Sequence, residues 1–223
     1  MQDIFSSQTN YVINDKNKSD GIELMKNLKD ETIKLCVFDP QYRGILDQLH
    51  YGDEGKSRNV DRCALPQMTE EKIVEFLTEI SRVLKPSGHI FLWVDRFHLC
   101  EGSAHKWRKG LPLEVVDMIT WDKMKIGMGY RSRHKAEYMV VLQKKPIRAK
   151  GCWNDHGIPD VWQEKVVKVH PHSKPIELQK RLILATTDEQ DFVLDPCAGG
   201  YSVLTCCKDT NRNFIGCDLI NDK

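Results

Sequence analysis

Short apolar runs alternate with amphipathic ones along this chain of 223 residues, and four of the runs close on an aspartate. Ile33-Lys34-Leu35-Cys36-Val37-Phe38 ends at Asp39, and His89-Ile90-Phe91-Leu92-Trp93-Val94 ends at Asp95. Phe192-Val193-Leu194 ends at Asp195, and Asn213-Phe214-Ile215-Gly216-Cys217 ends at Asp218. Apolar side chains at both odd and even positions predict strands covered on two faces, as in a parallel sheet. Further strands are expected over 11–13, 115–121 and 137–143. The clearest helix opens at Thr69. Its Ile73, Phe76, Leu77, Ile80, Val83 and Leu84 recur at helical spacing, and Lys85-Pro86-Ser87-Gly88 stops it. Asp20 caps a short helix over 20–28, and 176–187 and 202–208 read as two more. Strands alternating with helices predict a single α/β domain over 1–223, with sites at the strand C-termini. Polar segments 43–68, 96–112 and 146–170 read as inserted loops, and residues 1–10 as a frayed end.

Two strand tips carry candidate chemistry. Val193-Leu194-Asp195-Pro196-Cys197-Ala198-Gly199-Gly200-Tyr201-Ser202 reads as strand, sharp glycine turn and helix start. Glycines let a ligand approach the backbone, and the following helix turns its free N–H groups to the same spot. Alone, such a turn is equally an ordinary αβ connection. Asp218 stands about 20 residues past the glycines, where an acid accepts from the ribose hydroxyls of a nucleoside cofactor. Gly-x-Gly-x-x-Gly is absent, which disfavours a dinucleotide and favours an adenosyl cofactor without a pyrophosphate. The second tip is Asp39-Pro40-Gln41-Tyr42. A carboxylate and a backbone carbonyl beside a proline are two fixed acceptors for the hydrogens of an exocyclic amine, and Tyr42 offers a stacking face for a planar base. A strand-ending Asp-Pro turn with a core tyrosine is the plainer alternative.

A net charge of +1 means that any nucleic-acid contact must rest on a local basic surface. Lys123, Lys125, Arg131, Arg133, His134 and Lys135 cluster around an expected turn, with Lys144, Lys145, Arg148 and Lys150 close behind. They are candidates for phosphate contact, or else a solvated strand–loop face. The eight cysteines form no Cys-x-x-Cys pair and several lie inside apolar runs, so buried reduced thiols are expected rather than a metal site or a disulfide framework. With no signal peptide and no membrane-length apolar run, a cytoplasmic location and no membrane partner are expected.

Taken together, these motifs resemble the amino-methyltransferases that use S-adenosylmethionine to methylate DNA at adenine N6 or cytosine N4. Asp39-Pro40-Gln41-Tyr42 is similar to their (Asp/Asn/Ser)-Pro-Pro-(Tyr/Phe/Trp) catalytic motif. Asp195-Pro196-Cys197-Ala198-Gly199-Gly200 is similar to their Asp-Pro-Phe-x-Gly-x-Gly cofactor motif. The catalytic motif comes first, the order of the permuted beta group. His170-Pro171-His172-Ser173-Lys174-Pro175 matches that group's His-Pro-x-x-Lys-Pro segment, and Gly129-Tyr130-Arg131 through Glu137-Tyr138 resembles its eighth motif. The resemblance implies a Rossmann-like methyltransferase fold with a mostly parallel seven-stranded sheet flanked by helices. It implies that Asp39 and Pro40 hold the target amine and Tyr42 stacks on a flipped base. Lys174, Asp195, Gly199, Gly200, Ser202 and Asp218 line S-adenosylmethionine, which Asp39 also approaches. The aspartate form of the catalytic motif favours adenine in double-stranded DNA over cytosine N4 or an RNA amine. A homodimer and a restriction partner are further expectations from the group. The chain departs from the pattern at Gln41, Cys197 and Tyr201, where Tyr201 crowds a glycine position. Gln41 and Tyr201 motivate the other reading, a non-catalytic nucleic-acid-binding subunit.

Overall fold

A computed structural model describes residues 3–41, 68–127, 131–166 and 174–219. At its centre the described residues form an eight-stranded sheet in the order β1-β8-β7-β2-β3-β5-β4-β6. The strands are β1 (Asn17–Lys18), β2 (Ile33–Phe38), β3 (Leu84–Val94), β4 (Leu113–Asp122), β5 (Ala136–Lys144), β6 (Val161–Gln163), β7 (Phe192–Asp195) and β8 (Asn213–Asp218). Of these strands, only β5 runs against its neighbours. The helices are α1 (Gly21–Lys26), α2 (Glu70–Val83), α3 (Arg96–Cys100), α4 (Ser103–Trp107), α5 (Ile176–Thr186) and α6 (Ser202–Asp209).

The apolar runs alternate between two cores, which explains their lack of a polar face. Cys36, Phe38, Ile90, Leu92, Leu194 and Ile215 pack with α1 and α2 on one side of the sheet. Leu35, Val37, Phe91, Trp93, Val193 and Phe214 pack with α5 and α6 on the other. Each such buried side chain contributes about 1.5–3 kcal/mol, so a polar residue on either face of these strands is strongly disfavoured. Asp20 and Thr69 cap α1 and α2 as expected, accepting from the N–H groups of Ile22 and Lys72.

The sheet has eight strands where seven were expected, and its edges differ from the expectation. Residues 11–13 are not a strand. The Asn17 side chain takes the hydrogen bonds of Val12 instead, accepting from its N–H at 2.8 Å and donating to its carbonyl at 3.0 Å. The short edge strand is Asn17–Lys18, beside β8. On the far edge, the three residues of β6 pair with the end of β4. The Lys85-Pro86-Ser87-Gly88 stop lies within β3, as an irregularity between two stretches paired with β2. The segment 96–112 is not an open loop. It forms α3 and α4, where His98 packs against the buried Trp107 with ring centroids 5.3 Å apart. Of the described cysteines, Cys36, Cys152, Cys206, Cys207 and Cys217 are buried and reduced, but Cys100 is exposed and Cys197 half-buried. Cys63 and most of segment 43–68 lie outside the described residues.

The topology places the site. From β2 the chain crosses through α2 to β3, and from β7 it crosses through α6 to β8, in opposite directions along the sheet. The adjacent strands β2 and β7 therefore diverge in their connections. The crevice between such C-terminal ends is where open α/β sheets bind ligands.

Candidate active site

Three carboxylates converge on that crevice. Asp195 ends β7, Asp39 follows β2 and Asp218 ends β8. Asp195 is only 5% exposed. Burial, reinforced by the charges of Asp39 and Asp218, pushes its carboxyl up to about 8, although the Cys197 N–H donates to it at 3.2 Å. Asp218 accepts from the Gly199 N–H at 2.9 Å, so the acid at one strand tip fixes the turn leaving the next. Gly199 has a φ of 46°, and a Cβ built there meets nothing within 4 Å, which leaves the outer face of the turn open to a ligand. Beneath the turn the packing is tight: a Cβ on Gly216 would run into the Asp195 carbonyl oxygen.

Tyr201 keeps the backbone of a glycine while carrying an aromatic ring. Its φ is 55°, a left-handed conformation that costs a non-glycine residue about 1–2 kcal/mol. The ring does not crowd the turn. It is buried, 6.2 Å edge-on from Phe214, and its hydroxyl donates to the Asn17 carbonyl at 2.8 Å. Ring burial and that bond offset the strain and tie the turn to the edge strand β1.

On the β2 side of the crevice, Lys174 joins segments distant in sequence. Its Nζ lies 3.0 Å from Asp39 Oδ2, 3.1 Å from Glu137 Oε2 and 4.5 Å from the centroid of the Trp93 ring. Burial opposes the lysine's charge, but Asp39 and Glu137 outweigh it and raise its pKa above the ordinary value. Burial likewise opposes ionisation of Glu137, but Lys174 and Lys123 together hold its carboxyl below the usual range. The Lys123 ammonium donates to the other oxygen of Glu137 at 3.3 Å. The result is an alternating chain of charges, Lys123–Glu137–Lys174–Asp39, running from the end of β4 to the tip of β2.

The structure thus brings Asp39, Lys174, Asp195, Gly199 and Asp218 to one end of the sheet. Pro40 is buried behind Asp39, Gly200 is exposed in the turn, and Ser202 is half-buried at the start of α6. Tyr42 and His170 to Ser173 lie outside the described residues, as do Gly129 and Tyr130. In the basic cluster, Lys123 pairs with Glu137, and Lys135 with Asp122 at 2.9 Å. Lys125, Arg131 and Arg133 are exposed and form no ion pair among the described residues. His134 is half-buried; burial, then Arg96 and Lys123, lowers its pKa. Trp93 was not foreseen as a site residue, and Glu137 was named only within the segment that resembles the eighth motif, without a role. The signal for Trp93 was its place two residues before the aspartate that closes β3; for Glu137 it was that motif, at the start of a mostly apolar strand. Among the described residues, no group of three or more His, Cys, Asp or Glu side chains is arranged to hold a metal ion.

A protein-family model described as DNA methylase matches residues 33–222. The chain is 61% identical over 210 residues to the type II methyltransferase M.HhaII of Haemophilus parahaemolyticus, covering 93% of this chain and 92% of that protein. Among solved structures, the cytosine-N4-specific PvuII DNA methyltransferase matches with a TM-score of 0.70 at 14% identity, over 92% of this chain and 81% of its own. The M1.HpyAVI–SAM complex matches with a TM-score of 0.63 at 20% identity, over 91% of both chains. At these identities the two structures attest the Rossmann-like methyltransferase fold.

Proposed function

The chain belongs to the N6/N4 family of DNA methylases, and we propose that it transfers a methyl group from S-adenosylmethionine to the exocyclic N6 amine of adenine in double-stranded DNA, with the target base turned out of the helix. It is a methyltransferase, and S-adenosylmethionine is its cofactor. No helix among the described residues is long and apolar enough to cross a membrane. The residues present fit a cofactor that carries positive charge. Asp39 and Asp218 bring carboxylates to the crevice beside Asp195, whose carboxyl is pushed up to about 8, and the open face of the Gly199 turn admits a ligand against the backbone. We place Asp218 on the ribose, Gly199, Gly200 and Ser202 along the cofactor, and Asp195 beneath the turn that carries them.

Bound there, the cofactor supplies an electrophilic methyl group on a sulfonium. The protein's work is to present the nucleophile. An exocyclic amine on a purine is a poor nucleophile because its lone pair is drawn into the ring. In our reading Asp39 and the carbonyl of Pro40 accept the two amine hydrogens, which turns the lone pair out of the ring plane and toward the crevice. The same acceptors would stabilise the positive charge that develops on nitrogen as the new N–C bond forms and the methyl–sulfur bond breaks, after which the nitrogen gives up one proton to solvent. Tyr42 stacks on the extruded base, whose removal from the duplex is needed for any of these groups to reach it. The single observation that supports this reading best is the carboxylate of Asp39, held by Lys174 at 3.0 Å at the tip of β2, beside the cofactor turn. The aspartate form of the motif favours adenine; cytosine N4 is the second reading. We further take the chain to act beside a restriction endonuclease of the same specificity, and as a homodimer.

The direct test is transfer of a labelled methyl group to unmethylated duplex DNA, then digestion and nucleoside mass analysis. N6-methyladenine supports the proposal. N4-methylcytosine overturns the choice of base, and transfer to RNA alone overturns the choice of nucleic acid. A separate expectation concerns DNA binding by the exposed Arg131 and Arg133. Changing each to alanine should weaken binding about equally on all duplex sequences. It should also make the slope of log affinity against log salt shallower by about 0.9 for each phosphate that the protein no longer neutralises. Fluorescence-anisotropy titrations at several salt concentrations measure this, and an unchanged slope removes both residues from the interface.

A further inference from the structure

We propose that Glu137 is a positioning residue for methyl transfer: it shares the Lys174 ammonium with Asp39, so that Lys174 engages one oxygen of Asp39 and leaves the other to the target amine.

This rests on the assignment of Asp39 as the acceptor of that amine, and the geometry adds a requirement to it. An ammonium has three donors and, facing a single carboxylate, settles between both of its oxygens. Here it is pulled two ways, toward Asp39 Oδ2 at 3.0 Å and Glu137 Oε2 at 3.1 Å. The face of Trp93 closes a further side at 4.5 Å, and the lysine side chain is only 15% exposed, so the ammonium cannot relax into water. Glu137 is itself held by Lys123 through its second oxygen, which stops it from following Lys174 toward Asp39. The pairs alternate in sign, two cations and two carboxylates, so the network needs no further counter-charge. Removing Glu137 leaves Lys174 with Asp39 as its sole anionic partner in that network. The ammonium then moves over the Asp39 carboxylate and occupies the oxygen that the amine requires. Arg131, Arg133 and the glycine turn are untouched, and Lys123 and Lys174 keep their charges, so the reacting geometry is disturbed more than duplex or cofactor binding.

The experiment is a double-mutant cycle on the full chain with Glu137→Gln and Lys174→Met, reading kcat, KM for duplex DNA and Kd for S-adenosylmethionine. Glu137→Gln should lower kcat about tenfold or more, the scale of a misplacement under 1 Å, with KM and Kd within about twofold of the wild type. In the Lys174→Met background the same change should lower kcat no further, because Glu137 acts through the lysine. A kcat for Glu137→Gln within about twofold of the wild type overturns the proposal, and so does an equal loss in both backgrounds. If Glu137→Gln folds poorly, Glu137→Asp keeps the charge and ends about 1.5 Å short of the lysine. It should also lower kcat at unchanged Kd, and full activity there overturns the proposal equally. Wild-type transfer to DNA is read first: its absence defeats the methyltransferase assignment of Asp39, whereas its presence with an indifferent Glu137 defeats only the positioning role.

Discussion

Asp39→Ala is expected to lower the rate of methyl transfer by about 10³-fold, with cofactor affinity changed far less. Two strand tips at the crevice carry an aspartate followed by a proline, but Asp195 is buried and the Pro196 carbonyl already accepts from the Cys217 thiol, which leaves the half-buried Asp39 and its adjoining proline to offer two fixed acceptors. In the proposed mechanism, removing it takes away both the orientation of the amine and the charge that stabilises developing ammonium character. Loss of one preorganised group of this kind costs about 10²–10³, and loss of orientation adds to that. The variant should still fold. Lys174 retains Glu137 at 3.1 Å and the face of Trp93, so its charge is not stranded. Asp39→Asn should recover part of the loss, because the amide oxygen still accepts one hydrogen bond while the charge is gone. Single-turnover transfer at saturating cofactor measures the chemical step directly. Alanine at 39 with wild-type turnover would show that the amine is held elsewhere and that the resemblance of Asp39-Pro40-Gln41-Tyr42 to a catalytic motif carries no chemistry in this chain.

What could be read from the chain and what could not divides along physical lines. The inner strands were legible because both of their faces are buried, so their apolar runs are uninterrupted: β2, β7 and β8 lie where those runs placed them. Edge elements were not, because they are short and their partners are side chains. Tyr11-Val12-Ile13 has strand composition, yet the Asn17 amide takes the hydrogen bonds of Val12. Val161–Gln163 is too short to show a period. The convergence of Asp39, Asp195 and Asp218 was legible, since strand tips in a parallel sheet share one end. The Lys174–Glu137 pair was not, since it joins a residue before α5 to one on the antiparallel strand β5 and depends on the depth of a side chain in the fold. Tyr201 shows the same limit. Its backbone demand was visible as a departure from glycine, but the direction of its ring, toward Asn17 and Phe214, follows from packing alone.

The acidic end of the crevice leads to the second large effect, on stability rather than rate. Asp195 is buried, lies near two other carboxylates and has no lysine or arginine of its own among the described residues, since Lys174 is committed to Asp39 and Glu137. Its carboxyl is pushed from 3.8 up to about 8 in the folded protein, whereas in the unfolded chain it titrates as an ordinary aspartate. Between those values the folded state holds a proton that the unfolded state has lost. The protons bound by the unfolded state minus those bound by the folded state is then negative, so the unfolding free energy falls as pH rises. This stability is fully present below pH 3.8 and is lost as pH rises through about 8, with a limiting slope of about 1.4 kcal/mol per pH unit. Asparagine mimics the neutral form and does not titrate. Cofactor-free Asp195→Asn protein should therefore match the wild type near pH 4 and exceed it by several kcal/mol near pH 8, the direction opposite to that of a salt-bridged aspartate. Urea unfolding of both proteins at pH 5, 6, 7 and 8 measures the difference. Parallel curves with a constant offset would mean that Asp195 is ionised in the folded protein, stabilised by a partner that offsets its burial. A gap that widens with pH would establish that the cofactor-free protein stores a proton at the strand tip proposed for the positively charged cofactor.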